Sequence, residues 1–467
     1  MSFIDSSIIA VYLIFIFVLG LWAGRYVKNI KEYAVAHRSY SAVVLFATLS
    51  ASFIGGGFSF GNADTVFQNG IGPATALWGF SLMLILVGLF IAPRMGKFRR
   101  CISTGDIMEK QYGPSARIVA GVLGVLVCMG ILGAQIGAIG AVFELFTPLT
   151  FMQGVFIGCG IVIIYTAFGG ISSVVLTDVI QFVMLVVFIP LTLVLGLCVL
   201  GGFSAMAEKV PSEFLQITGN DFTPLMWISL FLSFLIGETL VPPYVQRLLI
   251  AKSPKETRKG TLWSGFLSIP FFLISGLIGL VALALNPDLP SNLAMPNVVQ
   301  TVLPPVIKGL TCAAIISIVM SSADSFLNAS SVCFIEDVLK PILKRNIIFP
   351  NTPAKDLWLI QATTLLIGGG AVFLALKISN VLDILRFAYN FWSPVMLVPL
   401  VAVLLGKKVC KSAFVAGAIA GASVIIIAFV YNKSGVIFGL DAVVVGTFAN
   451  LICFVPVNYF CRKRIVK

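Results

Sequence analysis

Charge is scarce in this sequence. Only 11% of its 467 residues are charged while 59% are hydrophobic, and mean hydropathy is +1.04. A water-soluble domain carries about 25% charged residues, so this chain has too little polar surface to cover itself in water. Histidine is almost missing. The single one, His37, lies in a basic stretch, which removes most candidates for histidine catalysis, zinc ligation and haem binding. The nine cysteines (Cys101, Cys128, Cys159, Cys198, Cys312, Cys333, Cys410, Cys453 and Cys461) stand singly with no CxxC pair, which argues against a disulfide framework or a zinc site. Alternating segments of about ten residues, the pattern of a membrane β-barrel, are also lacking.

Long apolar runs are what the sequence has instead. Thirteen segments, at roughly 7–24, 43–67, 74–94, 118–146, 152–169, 177–200, 225–247, 262–285, 306–335, 356–377, 382–405, 411–431 and 437–460, approach or exceed the length needed to cross about 30 Å of hydrocarbon as a helix. Helices are expected because lipid offers no partners to open backbone groups. The first segment reads as a retained anchor: nothing basic precedes it, and it shows no clear small-residue cleavage site. The fold class expected is therefore an all-α polytopic membrane protein with about 13 transmembrane helices.

The net charge of +12 is explained by topology. With the N-terminus outside, the inside loops and tail hold 26 of the 31 lysines and arginines, Arg247 among them, leaving Lys209, Lys308, Lys377, Arg386 and Lys433 on or toward the other side. That bias predicts N-out, C-in in a plasma (inner) membrane. No aromatic-interleaved basic patch suggests nucleic acid, and nothing implies an obligate protein partner. The expected partners are the bilayer and a small-molecule solute, because the loops are too short to hold a separate domain and function must lie within the membrane.

Two segments are unlike simple apolar helices. The second carries Gly55, Gly56 and Gly57 in succession, each costing about 1 kcal/mol in a helix relative to alanine. Such a run either packs helices closely or unwinds and exposes carbonyls to a cation. The seventh reads Gly237-Glu-Thr-Leu-Val-Pro-Pro-Tyr-Val-Gln-Arg247, where Pro242 and Pro243 should break the helix near Glu238. Interrupted helices five segments apart are the pattern of an inverted-repeat transporter.

Carboxylates within spans are expensive and usually functional. Glu144 suits a solvated rim and Asp64 an outer vestibule. Asp178 could be an acid at a helix N-terminus or part of a site. The ninth segment is the most polar: Ser321, Asp324, Ser325 and Asn328 fall on one helical face. Hydroxyls and carbonyls with a single acid suit a hard monovalent cation, though serines also bond back to their own helix. Arg386 either pairs with nearby Asp383 or binds a carboxylate solute.

At these stretches the chain resembles the sodium:solute symporter family. The resemblance runs over about 7–405 and rests on Leu49-Ser-Ala-Ser-Phe-Ile-Gly-Gly56, on Tyr165-Thr-Ala-Phe-Gly-Gly170 through Thr177-Asp-Val-Ile-Gln181, on Tyr244-Val-Gln-Arg-Leu-Leu-Ile-Ala-Lys-Ser253, and on Met320-Ser-Ser322. It implies a LeuT-type fold. A preliminary helix and inside loop (1–42) would precede inverted repeats at 43–200 and 225–405, separated by an outside loop (201–224) and followed by two helices and a basic tail (406–467).

The family's sodium site, carried over by motif, falls on Ala51, Ile54, Ile318, Ser321 and Ser322. A second cation site would use Asp178, Asp324 and Ser325, although members with that site have two serines where this chain has Asp324 and Ser325, so a second sodium or a proton are both open. The solute position would be lined by Phe53, Gly55, Phe58 and Leu77 from the first two core helices, with Glu238, Val241, Arg386 and Asn390 opposite. Sugar carriers have Glu and Gln where Gly57 and Phe58 stand, an acid at about Leu77 and an asparagine near Val241. Their absence favours an amino acid or short carboxylate over a sugar.

The function expected is sodium-coupled import of a small organic solute by alternating access, not an enzyme activity, with sodium ion as the only cofactor. Proton coupling on the same fold, a sensor on a transporter scaffold and an intramembrane aspartyl protease built on Asp178 and Asp324 are the alternatives. The protease lacks a GxGD sequence, Ser103-Thr-Gly-Asp106 being the nearest approach.

Overall fold

Backbone groups in hydrocarbon must be satisfied within their own segment, and the computed structural model is accordingly helical. Its only strands among the described residues form a small hairpin, Val436–Ile437 with Leu440–Asp441. The structure describes residues 1–219, 222–343, 353–377, 390–432 and 435–465. Nine helices among them are long and apolar enough to cross a membrane, or ten if one bent pair counts as a span.

The principal elements are α1 (Phe3–Gly24), the bent pair α2 (Ala42–Phe53) and α3 (Gly56–Asn69), α4 (Gly72–Phe98), α5 (Pro114–Phe146), α6 (Phe151–Leu200), α7 (Pro224–Ile236), α8 (Pro242–Ile250), α9 (Pro254–Leu285) and α10 (Ile307–Val332). Then follow α11 (Pro353–Lys377), α12 (Asn390–Leu404), α13 (Lys411–Asn432) and α14 (Ala442–Ile465).

Five of the thirteen expected segments are not seen as single separate helices, 43–67 being the bent pair α2 and α3. Segments 152–169 and 177–200 run together in α6, whose 50 residues would reach about 75 Å if straight. They are separated by a kink at Gly170, with φ 53° and ψ −149°. A Cβ there would stand 2.7 Å from the Tyr33 carbonyl oxygen, so only glycine fits both the dihedral and the space. Segment 225–247 is divided into α7 and α8. Segment 382–405 begins outside the described residues.

α10 is the axis of the bundle. In its span 94% of residues are buried, against 33% in α1, α6, α13 and α14, and it packs against α1, α2, α5, α6, α8 and α11. Asp5 anchors its first turn, accepting hydrogen bonds from the backbone N–H of Val306 at 2.9 Å and of Gly309 at 3.1 Å. That burial is what makes the polar face of α10 chemically interesting, because its hydroxyls and carboxylate cannot turn to water.

Candidate functional site

The site is built where two helices are broken. α2 ends at Phe53, the chain turns through 51°, and α3 starts at Gly56. A helix end leaves its last carbonyls without intrahelical donors, and the serine-rich face of α10 lies against them. The Ser322 hydroxyl donates to the Ser52 carbonyl at 2.7 Å. A Cβ on Gly55 would stand 2.6 Å from Ser322 Oγ, so glycine allows the broken strand to press against α10. Ala51, Ile54, Ile318, Ser321 and Ser322 are all at most 2% exposed. All five are therefore buried, and neutral carbonyl and hydroxyl oxygens are the type of donor a hard cation prefers.

One step away lies a network whose core sequence reading only half anticipated. Asp178 sits two turns beyond the Gly170 kink, well inside α6, so the helix N-terminal explanation for it does not apply. Its Oδ1 accepts the Ser321 hydroxyl at 2.5 Å. Its Oδ2 accepts Ser52 at 3.0 Å, Thr48, and the Arg247 guanidinium at 3.2 Å. Asp324 accepts the Tyr165 hydroxyl at 2.6 Å, and Ser325 Oγ lies 3.1 Å from Asp324 Oδ1 and 3.0 Å from Ser52 Oγ. Arg247 also donates to Ser325. Asp178, Asp324, Ser325 and Arg247 are each 0% exposed.

The structure therefore brings Asp178, Asp324 and Ser325 together, as expected, but with a guanidinium among them. This corrects the place given to Arg247 as an inside-loop charge: it belongs to α8 and points into the bundle. The side chain is long enough to reach a carboxylate two helices away, and burying it alone would be prohibitive. It also removes the basis for an aspartyl protease, since such a dyad shares a proton between two carboxylates whereas Asp178 is engaged by arginine and three hydroxyls.

The second break carries Glu238. α7 stops at Ile236, residues 237–241 are non-helical with Leu240 at φ 57°, and α8 starts at Pro242. The prolines thus open the second half, where a missing N–H costs nothing, and the break precedes them. Carbonyls freed by the break find donors on α12, from Ser393 to Gly237 at 2.7 Å and from the Trp392 indole to Thr239 at 3.2 Å.

Between the two breaks is a small cavity of about 70 Å³. Phe53, Gly55, Phe58 and Glu238, expected around the solute, all line it, together with Gln135, Phe234 and Phe326, which sequence reading missed. Ser52 and Ser322 line it as well, so the cavity reaches the hydrogen-bonded contact between α2 and α10. Leu77, Val241 and Asn390 are buried but are not among the lining residues. Arg386 lies outside the described residues. Thr48 and Ser52, spaced i, i+4 on α2, and Tyr165 were the polar signals available for the rest of the network.

A family model described as the sodium:solute symporter family matches residues 33–422. The chain is 26% identical over 451 residues to the human high affinity choline transporter 1, covering 90% of this chain and 76% of that one. It is 26% identical over 495 residues to a sodium/proline symporter of Staphylococcus aureus, covering 97% and 92%. In fold it is similar to a substrate-bound, outward-open Na+-coupled sialic acid symporter, with a TM-score of 0.83 at 20% identity over 97% of this chain and 96% of that one.

Proposed function

Because the chain belongs to the sodium:solute symporter family, with a LeuT-type fold and sodium as its coupling ion, we propose that it imports a small organic solute by alternating access. Sodium would sit at the α2–α3 break, held by the carbonyls of Ala51, Ile54 and Ile318 and the hydroxyls of Ser321 and Ser322. The solute would occupy the adjoining cavity. The observation that carries this is the cavity wall: Gly55 and Ser322 line the cavity and border the proposed ion position. A cation that draws these residues into place also shapes the solute cavity, and such differential binding is what coupling requires.

The second cation position is, on this reading, served by Arg247. With two carboxylates and one guanidinium the cluster carries a formal charge of −1, which favours one mobile cation at the break and coupling to one sodium. At an inside-negative 100 mV an entering sodium contributes about 2.3 kcal/mol and a tenfold gradient roughly 1.4. Together these would concentrate a neutral solute several hundredfold.

The cavity bears on the expected solute. A hexose presents hydroxyls on every side, whereas the side chains around this cavity are mostly aromatic or aliphatic, which supports a smaller or less polar solute. The repeat boundaries at 43–200 and 225–405 and the N-out, C-in arrangement in an inner membrane belong to the same proposal. They rest on the two matching breaks and on the loop charges, one fewer with Arg247 inside. The test is solute uptake into vesicles against a sodium or a potassium gradient of equal ionic strength. Sodium-driven accumulation that falls at least about tenfold in Ser322→Ala is expected. Equal uptake with potassium would remove the assigned site.

A further inference from the structure

Among the described residues Glu238 is the only charged one lining the cavity, and it is 7% exposed. Among the described residues it has no hydrogen-bond or ion-pair partner, in contrast to the buried carboxylates Asp178, Asp324 and Asp337, which have donors. A buried carboxylate is retained at such cost only when something neutralises it. Arg247 is already committed to Asp178 and Ser325 and does not line the cavity.

Four phenylalanines share the cavity with Glu238, beside the polar Ser52, Gln135 and Ser322. Phe53, Phe58, Phe234 and Phe326 line the same space, with Phe58 and Phe234 ring centroids 5.6 Å apart and Phe53 backed by Tyr244 at 5.0 Å. Ring faces attract cations by their quadrupole, and aromatic enclosures are a recurrent means of holding alkylated ammonium groups. A carboxylate opposite several rings neutralises the charge while the rings cover the alkyl groups.

The geometry points to a solute that bears an ammonium group, bound with its nitrogen against Glu238 and its alkyl substituents against the phenylalanines. This rests on the symport reading above and narrows it: a simple carboxylate would meet an unpaired like charge, whereas an amino acid or an organic cation would supply the missing partner.

The test is calorimetric and thermal-shift binding to the full chain in detergent, in sodium and in potassium. The probes are choline, tetramethylammonium, proline, 3,3-dimethylbutanol (the uncharged isostere of choline), acetate and glucose. At least one ammonium probe is expected to bind in sodium, roughly tenfold or more tighter than an uncharged or anionic probe of its size, and to lose roughly tenfold or more in Glu238→Gln with partial recovery in Glu238→Asp. Choline binding without proline identifies an organic cation, and the reverse a zwitterion. Sodium-induced stabilisation of Glu238→Gln without any probe shows that the variant is folded. Binding of 3,3-dimethylbutanol or acetate as tight as the ammonium probes, retention of affinity in Glu238→Gln, or no ammonium probe binding at all would overturn the proposal. Loss of every sodium effect in the parent protein would instead strike the symport reading.

Discussion

Replacing Arg247 with methionine isolates the guanidinium that tertiary structure inserts beside Asp178 and the proposed cation site. Methionine keeps most of the side-chain volume and removes the guanidinium. Asp178 then keeps its hydroxyl donors, Ser321 at 2.5 Å and Ser52 at 3.0 Å, but loses its counter-charge at 0% exposure. Breaking a buried pair from one side costs about 3–5 kcal/mol. Unfolding entropy of about 2.1 cal/mol/K per residue gives about 1 kcal/mol/K for a chain of this size, so the apparent melting temperature in potassium should fall by about 3–5 °C.

Sodium should behave differently with the variant. Two carboxylates and the hydroxyl of Ser325 become an oxygen set lacking its cation, so a second sodium can take the position. At a hundred times its Kd that ion would return about 2.7 kcal/mol. The variant's melting temperature should therefore climb more steeply with sodium than the parent's, and sodium binding should gain a second equivalent. Asp178→Asn combined with Arg247→Met, which removes both charges, should be less damaging than the single change. A melting temperature within about 1 °C of the parent in potassium, or a loss that sodium does not repair, would refute the assignment of Arg247 as a fixed cation in this cluster.

Gly55→Ala should raise the sodium concentration for half-maximal uptake roughly tenfold or more, because its Cβ would stand 2.6 Å from Ser322 Oγ; an unchanged sodium titration would separate that serine from the ion. Gly170→Ala should lower stability by more than about 1 kcal/mol, since the residue holds φ 53° and faces the Tyr33 carbonyl; a thermal melt checks this, and parent-like behaviour would mean that α6 can straighten. At the far end of α10, Asp337 accepts Ser103 at 2.5 Å and the Arg117 guanidinium at 3.2 Å, tying the stretch after α10 to the start of α5. Asp337→Ala should destabilise by about 3 kcal/mol or more, read by the same melt. A reporter fused after Lys467 should be active on the cytoplasmic face only, and an external signal would reverse the proposed orientation.

Much of the architecture was legible along the chain because its causes are local. Hydropathy over a window of about twenty residues reports whether a helix can sit in lipid, and glycine runs and prolines report where backbone bonds fail. The break at Gly55 was therefore visible, and the break near Glu238 was visible to within a few residues. Its exact place was not, because prolines favour the first turn of a helix as well as the end of one. Gly170 fell between two expected spans, but the Tyr33 carbonyl that leaves no room for a side chain there is 137 positions away in sequence and adjacent only in space.

The polar site divides the same way. Ser321, Asp324 and Ser325 share a face by helical periodicity alone, and four of the expected solute residues, Phe53, Gly55, Phe58 and Glu238, do line the cavity. The partner of Asp178 could not be read locally: an arginine at the end of an apolar segment looks like an inside-loop charge whether it reaches outward to water or inward to a carboxylate. Nor could sequence tell that Gln135, Phe234 and Phe326 line one cavity with Glu238, since they come from three different helices. By itself the sequence determined a helical membrane transporter with two broken helices and a serine-rich face, because hydropathy, periodicity and backbone chemistry act within a few turns. Only the tertiary structure decided which charges are paired and which carboxylate is left facing a cavity, because that depends on which helices burial brings together.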